Sequence, residues 1–257
     1  QLAFSVQIRT QGSIGNQVKF LGLDQSEIKK KLSKRLKKSK EDQAILNADS
    51  YSDKLYLIPY YSLNSKIIDF KQWAKLWSSL PTYVGIRQPQ LVYSTAQEGY
   101  NLTTMYSFCR NFIDEQEEGG EELKDYFYTL LIIQTGKEEV FGAFISAFPF
   151  NGIDDQFVGT VESFVFSMSA GEFQRWEGSG GNQHFMLCQN DRLTIGAGGD
   201  GPAISLDQEL FRGRTSACAS FGSPMLVPGE KHINDEFKAK NIEVFLLWSL
   251  NKVFNCI

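Results

Sequence analysis

The stretch YFYTLLIIQTGKEEVFGAFISAF, residues 126–148, consists of two apolar runs on either side of a short polar turn. The first run, 127–134, is almost continuously apolar, and the second, 140–148, alternates large and small apolar side chains. The turn at 135–139 contains a glycine and two carboxylates. Apolar runs joined by a short glycine-containing turn are typical of a β-hairpin. We therefore expect a hairpin in the middle of the core, with its first strand covered on both faces.

Two amphipathic helices are predicted between residue 69 and this hairpin, in addition to a basic helix nearer the N-terminus. Residues 69–80 start with Asp69, a residue type that caps helices, and are followed by Pro81, which cannot continue a helix. Asn101 caps the second predicted helix, which carries apolar residues at spacings of three and four. The predicted buried face of this helix consists of Leu102, Met105, Tyr106, Cys109 and Phe112.

Short apolar segments dominate the rest of the chain, and Gly, Asn, Asp or Pro lies in almost every gap between them. Many short strands at close spacing predict a β-sandwich. The predicted helices precede the strands, which argues against a parallel βαβ sheet. The predicted fold class is α+β, mainly β: a two-layer antiparallel β-sandwich with flanking helices. The predicted strands outside the hairpin are 90–94, 157–168, 173–176, 184–188, 192–195, 203–206, 217–221 and 242–248.

Composition excludes several classes of function. The net charge of −4 over 257 residues carries no nucleic-acid signature. The four cysteines form no close pairs, which favours a reducing, intracellular setting. Since no apolar run approaches the roughly 18 residues of a membrane-spanning helix, we expect no integral membrane segment.

Charge is distributed unevenly along the chain. Residues 26–41 contain eight Lys or Arg and two Glu, and a helix is predicted over 25–46. This basic helix suits docking on an acidic surface such as tubulin, anionic lipid or an acidic subunit, or it is simply a solvated helix. Residues 114–125 contain seven carboxylates and are predicted to form an exposed loop. The candidate docking side chains of the basic helix are Lys30, Lys34, Arg35, Lys37 and Lys38.

A glycine motif at 196–201 matches the spacing G-x-G-x-x-G of dinucleotide-binding proteins. That chemistry needs the glycines to open a helix, whose N-terminal amides then meet the pyrophosphate. Here Pro202 is followed by a strand-like segment, and no carboxylate lies about 20 residues beyond the last glycine. The motif is therefore interpreted as a tight turn between two strands.

No catalytic constellation emerges from the remaining residues. The sequence lacks the P-loop, nucleophile-elbow and H-E-x-x-H patterns. Glu162 precedes an apolar strand, so we expect a semi-buried carboxylate that bonds loop amides. Cys188 and Cys218 lie in apolar strand contexts, where thiols are usually inert. We expect no catalytic residues, no cofactor and no metal ion.

Seven blocks of the sequence, in order, resemble the successive blocks of the TLDc family. Single blocks are weakly specific, whereas the ordered set is strongly specific. Two departures are Val161, where the family block G-T-G-E-[ST]-F has its second Gly, and Phe245, where the family has Trp. The blocks are PQLVYSTAQEGYNLTTMY (89–106), LLIIQTGKEEVFGAFIS (130–146), FVGTVESFVFS (157–167), RWEGSGGNQHF (175–185), LTIGAGGDGPAISLDQEL (193–210), GRTSACASFGSPML (213–226) and IEVFLLW (242–248).

The resemblance divides the chain into an N-terminal extension (1–61), a TLDc domain (62–250) and a short tail (251–257). It implies an antiparallel sandwich with flanking helices and no established catalytic activity. The implied role is binding of the peripheral sector of the vacuolar proton pump (V-ATPase), with protection against oxidative stress as the associated phenotype. The implied motif or interaction residues are Gly99, Gly159, Glu162, Trp176, Asn182, Gly196, Gly198, Gly199 and Glu243.

Three functional hypotheses remain open at this point. The first is a non-enzymatic domain that binds the V-ATPase through loops 95–101, 151–162 and 196–202 at one end of the sandwich. The second is a structural component of a large assembly such as ciliary microtubules, in which the basic helix and residues 1–24 meet tubulin or axonemal proteins. The third is a redox or other catalyst. The first two place the protein in the cytoplasm, at V-ATPase-bearing membranes or in cilia.

Overall fold

The structure is a computed structural model of the chain. The residues that it describes are 64–85, 87–116, 127–149, 156–168, 172–227 and 236–248. The predicted basic helix and its five docking side chains lie outside these ranges, as does most of the acidic stretch.

The described elements are three helices and ten strands, with the helices ahead of all strands except the first. Their order along the chain is α1 (Phe70–Ser78), β1 (Gln88–Ser94), α2 (Thr95–Glu98), α3 (Leu102–Gln116), β2 (Tyr128–Thr135), β3 (Val140–Ile145), β4 (Phe164–Ser167), β5 (Gln174–Glu177), β6 (Met186–Cys188), β7 (Arg192–Ile195), β8 (Ile204–Asp207), β9 (Arg212–Arg214) and β10 (Glu236–Trp248).

The predicted central hairpin is confirmed as β2 and β3. Seven of the eight β2 residues and all six β3 residues are buried, so both strands are covered on both faces. Gly142 lies opposite Ile132 in the ladder, and a Cβ there would overlap the Leu131 carbonyl oxygen and lie 2.8 Å from the Phe166 ring. The glycine therefore lets the ring of the neighbouring strand pack directly on the backbone.

The strands form one antiparallel sheet that folds over into two layers, with β5 and β6 as the two ends of its strand order. The order of neighbouring strands is β5-β4-β3-β2-β10-β9-β8-β7-β6, and β1 also pairs with β10. Leu131 and Ile133 of β2 belong to the same buried cluster as Leu193 and Ile195 of β7, so the two halves of the sheet pack face to face. The predicted fold class is confirmed.

Helix α1 covers the face of β2, β3 and β10 that points away from the core between the layers. Asp69 and Gln72 form a capping box, which fixes the start of the helix. Trp73 is buried, and its ring lies 5.3 Å from that of Trp77 and 5.5 Å from that of Phe245 on β10. The helix therefore seals the outward apolar residues of the hairpin and of β10 into a second core.

Helix α3 adds its apolar face to the core between the layers. The Asn101 side chain accepts a hydrogen bond from the Thr104 amide at 2.8 Å, which confirms the predicted cap. Ile113 is fully buried and Phe112 only partly, so the buried face is rotated slightly from the prediction. No helix in the described ranges is long and apolar enough to cross a bilayer.

Several predicted strand boundaries are wrong. Residues 157–163 form a loop, and the strand begins only at Phe164. Residues 217–221 form a turn region, because Cys218 bridges both Gly199 and Ser223 and leaves no continuous ladder. Residues 95–98, part of the predicted loop 95–101, form the short helix α2. Strand β9, with the sequence Arg-Gly-Arg, was not predicted because it lacks an apolar pattern.

Substituting Gly142→Ala should lower the free energy of unfolding by about 2–3 kcal/mol, because the added methyl overlaps the Leu131 carbonyl. The matched control is Gly136→Ala in the hairpin turn, where a Cβ meets nothing within 4 Å. The control should change stability by less than about 0.5 kcal/mol. Chemical denaturation measures both values, and equal losses in the two variants would contradict the packing argument.

Candidate functional site

Four connections between strands meet at one end of the sandwich. Val158 and Met186 exchange two backbone hydrogen bonds of 2.7 and 3.0 Å. The Ser179 amide donates to the Ser220 carbonyl at 2.8 Å, and the Ala219 amide donates to the Gly198 carbonyl at 3.0 Å. We call this region the glycine-loop cluster, and it comprises residues 156–163, 178–185, 196–201 and 215–223.

Two polar side chains, the buried Ser220 and the half-buried Asn182, hold the cluster together. Ser220 is fully buried, and its Oγ accepts a hydrogen bond from the Ala197 amide at 2.9 Å and lies 2.7 Å from Asn182 Oδ1. Asn182 Oδ1 also accepts from the His184 amide at 3.0 Å, and its Nδ2 donates to the Ala197 carbonyl at 3.3 Å. Three separate loops are thereby fixed relative to one another.

The glycine motif is a structural turn in this cluster. Gly196 has φ +76°, and a Cβ there would lie 2.5 Å from the Cys218 sulfur. The backbone amides of Gly196, Ala197 and Asp200 donate to protein acceptors. The next element is strand β8 and not a helix. The turn therefore does not offer the free helix-start amides that pyrophosphate binding uses, and the sequence-based interpretation holds.

The loop at 156–163 is fixed by hydroxyl groups and exposes apolar side chains. The Thr160 amide donates to Ser146 Oγ at 2.7 Å, and the Ser146 amide donates to Ser163 Oγ at 3.1 Å. Val161, between Thr160 and Ser163, is 52% exposed, and Val158, whose backbone pairs with Met186, is 40% exposed. The loop therefore presents two apolar side chains from a backbone that is held in place.

Glu162 lies beside these valines but is exposed, contrary to the expectation of a semi-buried carboxylate. Its Oε2 accepts a hydrogen bond from the hydroxyl of Tyr83, whose ring packs edge-on against that of Tyr128 at 5.7 Å. Burial and then this hydrogen bond raise the pKa of the Tyr83 hydroxyl well above its usual range. Tyr83 is therefore a neutral donor at physiological pH, and it ties the loop to the segment that follows α1.

Glu243 lies elsewhere, in the middle of β10, where it is 1% exposed. Its two carboxylate oxygens accept hydrogen bonds from Ser65 Oγ at 2.6 Å and from the Lys66 amide at 2.7 Å. Ser65 Oγ in turn accepts from the amides of Ile67 and Ile68 at 3.1 Å. Burial raises the pKa of the Glu243 carboxyl, and these hydrogen bonds oppose the shift only in part. The carboxyl group attaches the chain before α1 to the sheet.

The other predicted residues lie in three places. Gly159, Gly198 and Gly199 belong to the glycine-loop cluster with Glu162, Asn182 and Gly196. Trp176 is half-buried on β5 and packs against the inter-layer core. Gly99 lies at the opposite end, where its carbonyl accepts from the Tyr93 hydroxyl at 2.5 Å and the adjacent Tyr100 hydroxyl donates to the Lys240 carbonyl. Loop 95–101 is therefore not at the same end as 156–162 and 196–202.

The cysteines of the described residues are placed as packing groups. Cys109 is fully buried, and burial raises the pKa of its thiol, with Cys188 nearby adding to the shift. Cys218 is buried beneath Gly196. The raised pKa keeps the Cys109 thiol protonated at neutral pH, and protonated thiols are poor nucleophiles. The described residues also contain no group of three or more His, Cys, Asp or Glu side chains that could share a metal ion.

The residues that sequence reasoning missed are Ser220, Ser146, Ser163 and Tyr83. Isolated hydroxyl-bearing residues carry no periodic signal, and the roles of these four depend on partners up to 79 positions away in the chain, the separation of Tyr83 and Glu162. Only the tertiary structure reveals these contacts.

The family model that matches the sequence is that of the TLDc domain, over residues 61–247. The chain belongs to the TLDc domain family. The GTPase-activating protein skywalker of Drosophila melanogaster is 31% identical over 240 residues, which cover 83% of this chain and 38% of that protein. Oxidation resistance protein 1 of Xenopus tropicalis is 32% identical over 187 residues, covering 73% of this chain and 19% of that protein.

A further relative of this TLDc protein is nuclear receptor coactivator 7 of Mus musculus, at 26% identity over 186 residues. That match covers 72% of this chain and 18% of the relative. The chain thus spans less than two-fifths of the length of these three relatives.

The raised pKa of Glu243 predicts a specific pH dependence of stability for this TLDc domain. The folded protein holds the proton on the Glu243 carboxyl more tightly than the unfolded chain does. The stability that this proton contributes is therefore complete at pH values below the pKa of the unfolded state. It is lost as pH rises through the pKa of the folded state. The stability of the wild type minus that of Glu243→Gln should therefore fall as pH rises from the ordinary pKa of a glutamate, about 4.3, through neutral pH. Urea denaturation across this range measures the difference, and a constant or rising difference would refute the assignment.

Proposed function

We propose that this TLDc domain is a non-enzymatic protein-binding module whose partner is the peripheral sector of the V-ATPase, acting in resistance to oxidative stress. The family resemblance supports the choice of partner. The name of one relative, oxidation resistance protein 1, supports the physiological role.

The observation that carries the proposal is the exposed apolar loop of the glycine-loop cluster. Val158 and Val161 are exposed on a loop that Ser146, Thr160 and Ser163 hold in place. A fixed loop loses little conformational entropy on binding, and apolar side chains that become buried at an interface contribute strongly to affinity. The Glu162 carboxylate beside them supplies a polar contact at the rim.

Substituting Val161→Asp should weaken binding to the peripheral sector about tenfold, because it places a charge in the apolar contact. The measurement is affinity capture from solubilised vacuolar or lysosomal membranes by the immobilised full chain, with pump subunits quantified by mass spectrometry. The matched control is Phe108→Asp, which alters a similarly exposed apolar residue on α3. The control should retain pump binding.

Two results would oppose the proposal. If the wild-type chain recovers no pump subunits, the V-ATPase is not the partner. If Val161→Asp and the wild type recover them equally, the loop at 156–163 is not the contact surface. Salt-sensitive co-sedimentation with microtubules that requires residues 1–45 would favour the alternative, a structural component that contacts tubulin or another axonemal protein through the basic helix.

A further inference from the structure

The outward face of β7, β8 and β9 carries a concentration of arginine side chains. Leu193, Leu206 and Phe237 of this part of the sheet belong to the core, so the residues that alternate with them face outward. These residues line a shallow, open cavity of about 300 Å³. We call this surface the arginine face, and it comprises Arg192, Ser205, Asp207, Arg212, Arg214 and Glu236.

The carboxylates of the arginine face neutralise it only in part. Asp207 Oδ1 accepts hydrogen bonds from the amides of Phe211 and Arg212 at 3.1 and 3.3 Å, so it is engaged in the β8–β9 turn. Glu236 lies 3.5 Å from an Arg214 nitrogen, with both side chains about half exposed. Within the described ranges, no ion pair holds Arg192, although it lies opposite Asp207 in the ladder.

Arg212 likewise makes no ion pair with another described residue. Three guanidinium groups therefore share a surface with two partly engaged carboxylates. This local excess of positive charge contrasts with the net charge of −4 for the whole chain. A patch of the opposite sign on an acidic protein attracts acidic partners selectively.

We propose that the arginine face binds an extended acidic segment of a partner protein. Arg212 and Arg214 are two positions apart on one strand, so their side chains are spaced by about 7 Å, the repeat of alternate residues in an extended chain. Arg192 lies two strands away from them, about 10 Å across the sheet. Arginine pairs with carboxylates through two parallel hydrogen bonds, so carboxylates at alternate positions fit this spacing.

The openness of the surface favours a peptide over other anionic ligands. Small-molecule sites enclose most of the ligand surface, which this shallow cavity does not do. Asp207 and Glu236 interrupt the positive charge, which suits carboxylates spaced along a peptide better than the closely spaced charges of a phosphate backbone or a lipid surface.

Fluorescence anisotropy with a labelled synthetic peptide of alternating Glu and Ser tests the proposal on the full chain. Arg192→Glu and Arg212→Glu should each weaken binding at least about fivefold. Lys71→Glu is the matched control, since Lys71 is exposed on α1, and it should change binding by less than about twofold. If a charge reversal perturbs folding, as seen by thermal unfolding, the milder Arg192→Gln and Arg212→Gln variants replace it.

Three results would overturn this inference. Equal weakening by Lys71→Glu would mean that only net charge matters. Absence of peptide binding by the wild type, or arginine-dependent sedimentation with anionic vesicles in place of peptide binding, would reject the acidic segment. Because Val161→Asp leaves the arginine face intact, it should retain peptide binding. Failure of the pump proposal is therefore distinguishable from failure of this one.

Discussion

Strand β10 joins the two layers of the sandwich, and the rest of the structure depends on that pairing. Along one edge its backbone pairs with β2 from residue 239 to 247. Along the other edge it pairs first with β9, at 236–238, and then with β1, at 243–248. Strand β10 therefore belongs to both layers, and its side chains contribute to both cores. Glu243, at its centre, also holds the segment before α1.

The two proposed recognition surfaces follow from this arrangement. The glycine-loop cluster forms where the connections between β5 and β6, β7 and β8, and β9 and β10 meet the loop before β4. The arginine face lies on the outward side of β7, β8 and β9. A rigid sheet with internally bonded loops presents both surfaces without reorganisation, which favours recognition of proteins. Since the surfaces use different residues, two segments of one partner, or two partners, can bind together.

The elements with strong local patterns were predictable from the sequence. The hairpin β2–β3 was identified from its apolar runs and glycine turn, and α1 and α3 from their caps and spacing. Strand β9 was missed because its Arg-Gly-Arg sequence has no apolar pattern. It forms a strand because it pairs with β8 and β10. The segment 217–221 was misassigned because its apolar residues fill space beneath the glycine turn. The network of Asn182 and Ser220 joins positions 38 apart, which no local pattern reports.

The central claim is that the layers form one cooperative unit through β10 and the core that they share. Native-state hydrogen exchange in low concentrations of denaturant tests it most directly, because it reports the opening of each ladder separately. The account predicts that the amides of the β2–β3 and β7–β8 ladders lose protection together, at the free energy of global unfolding. Loss of protection in β6–β9 at lower denaturant, while β2–β5 stay protected, would contradict it.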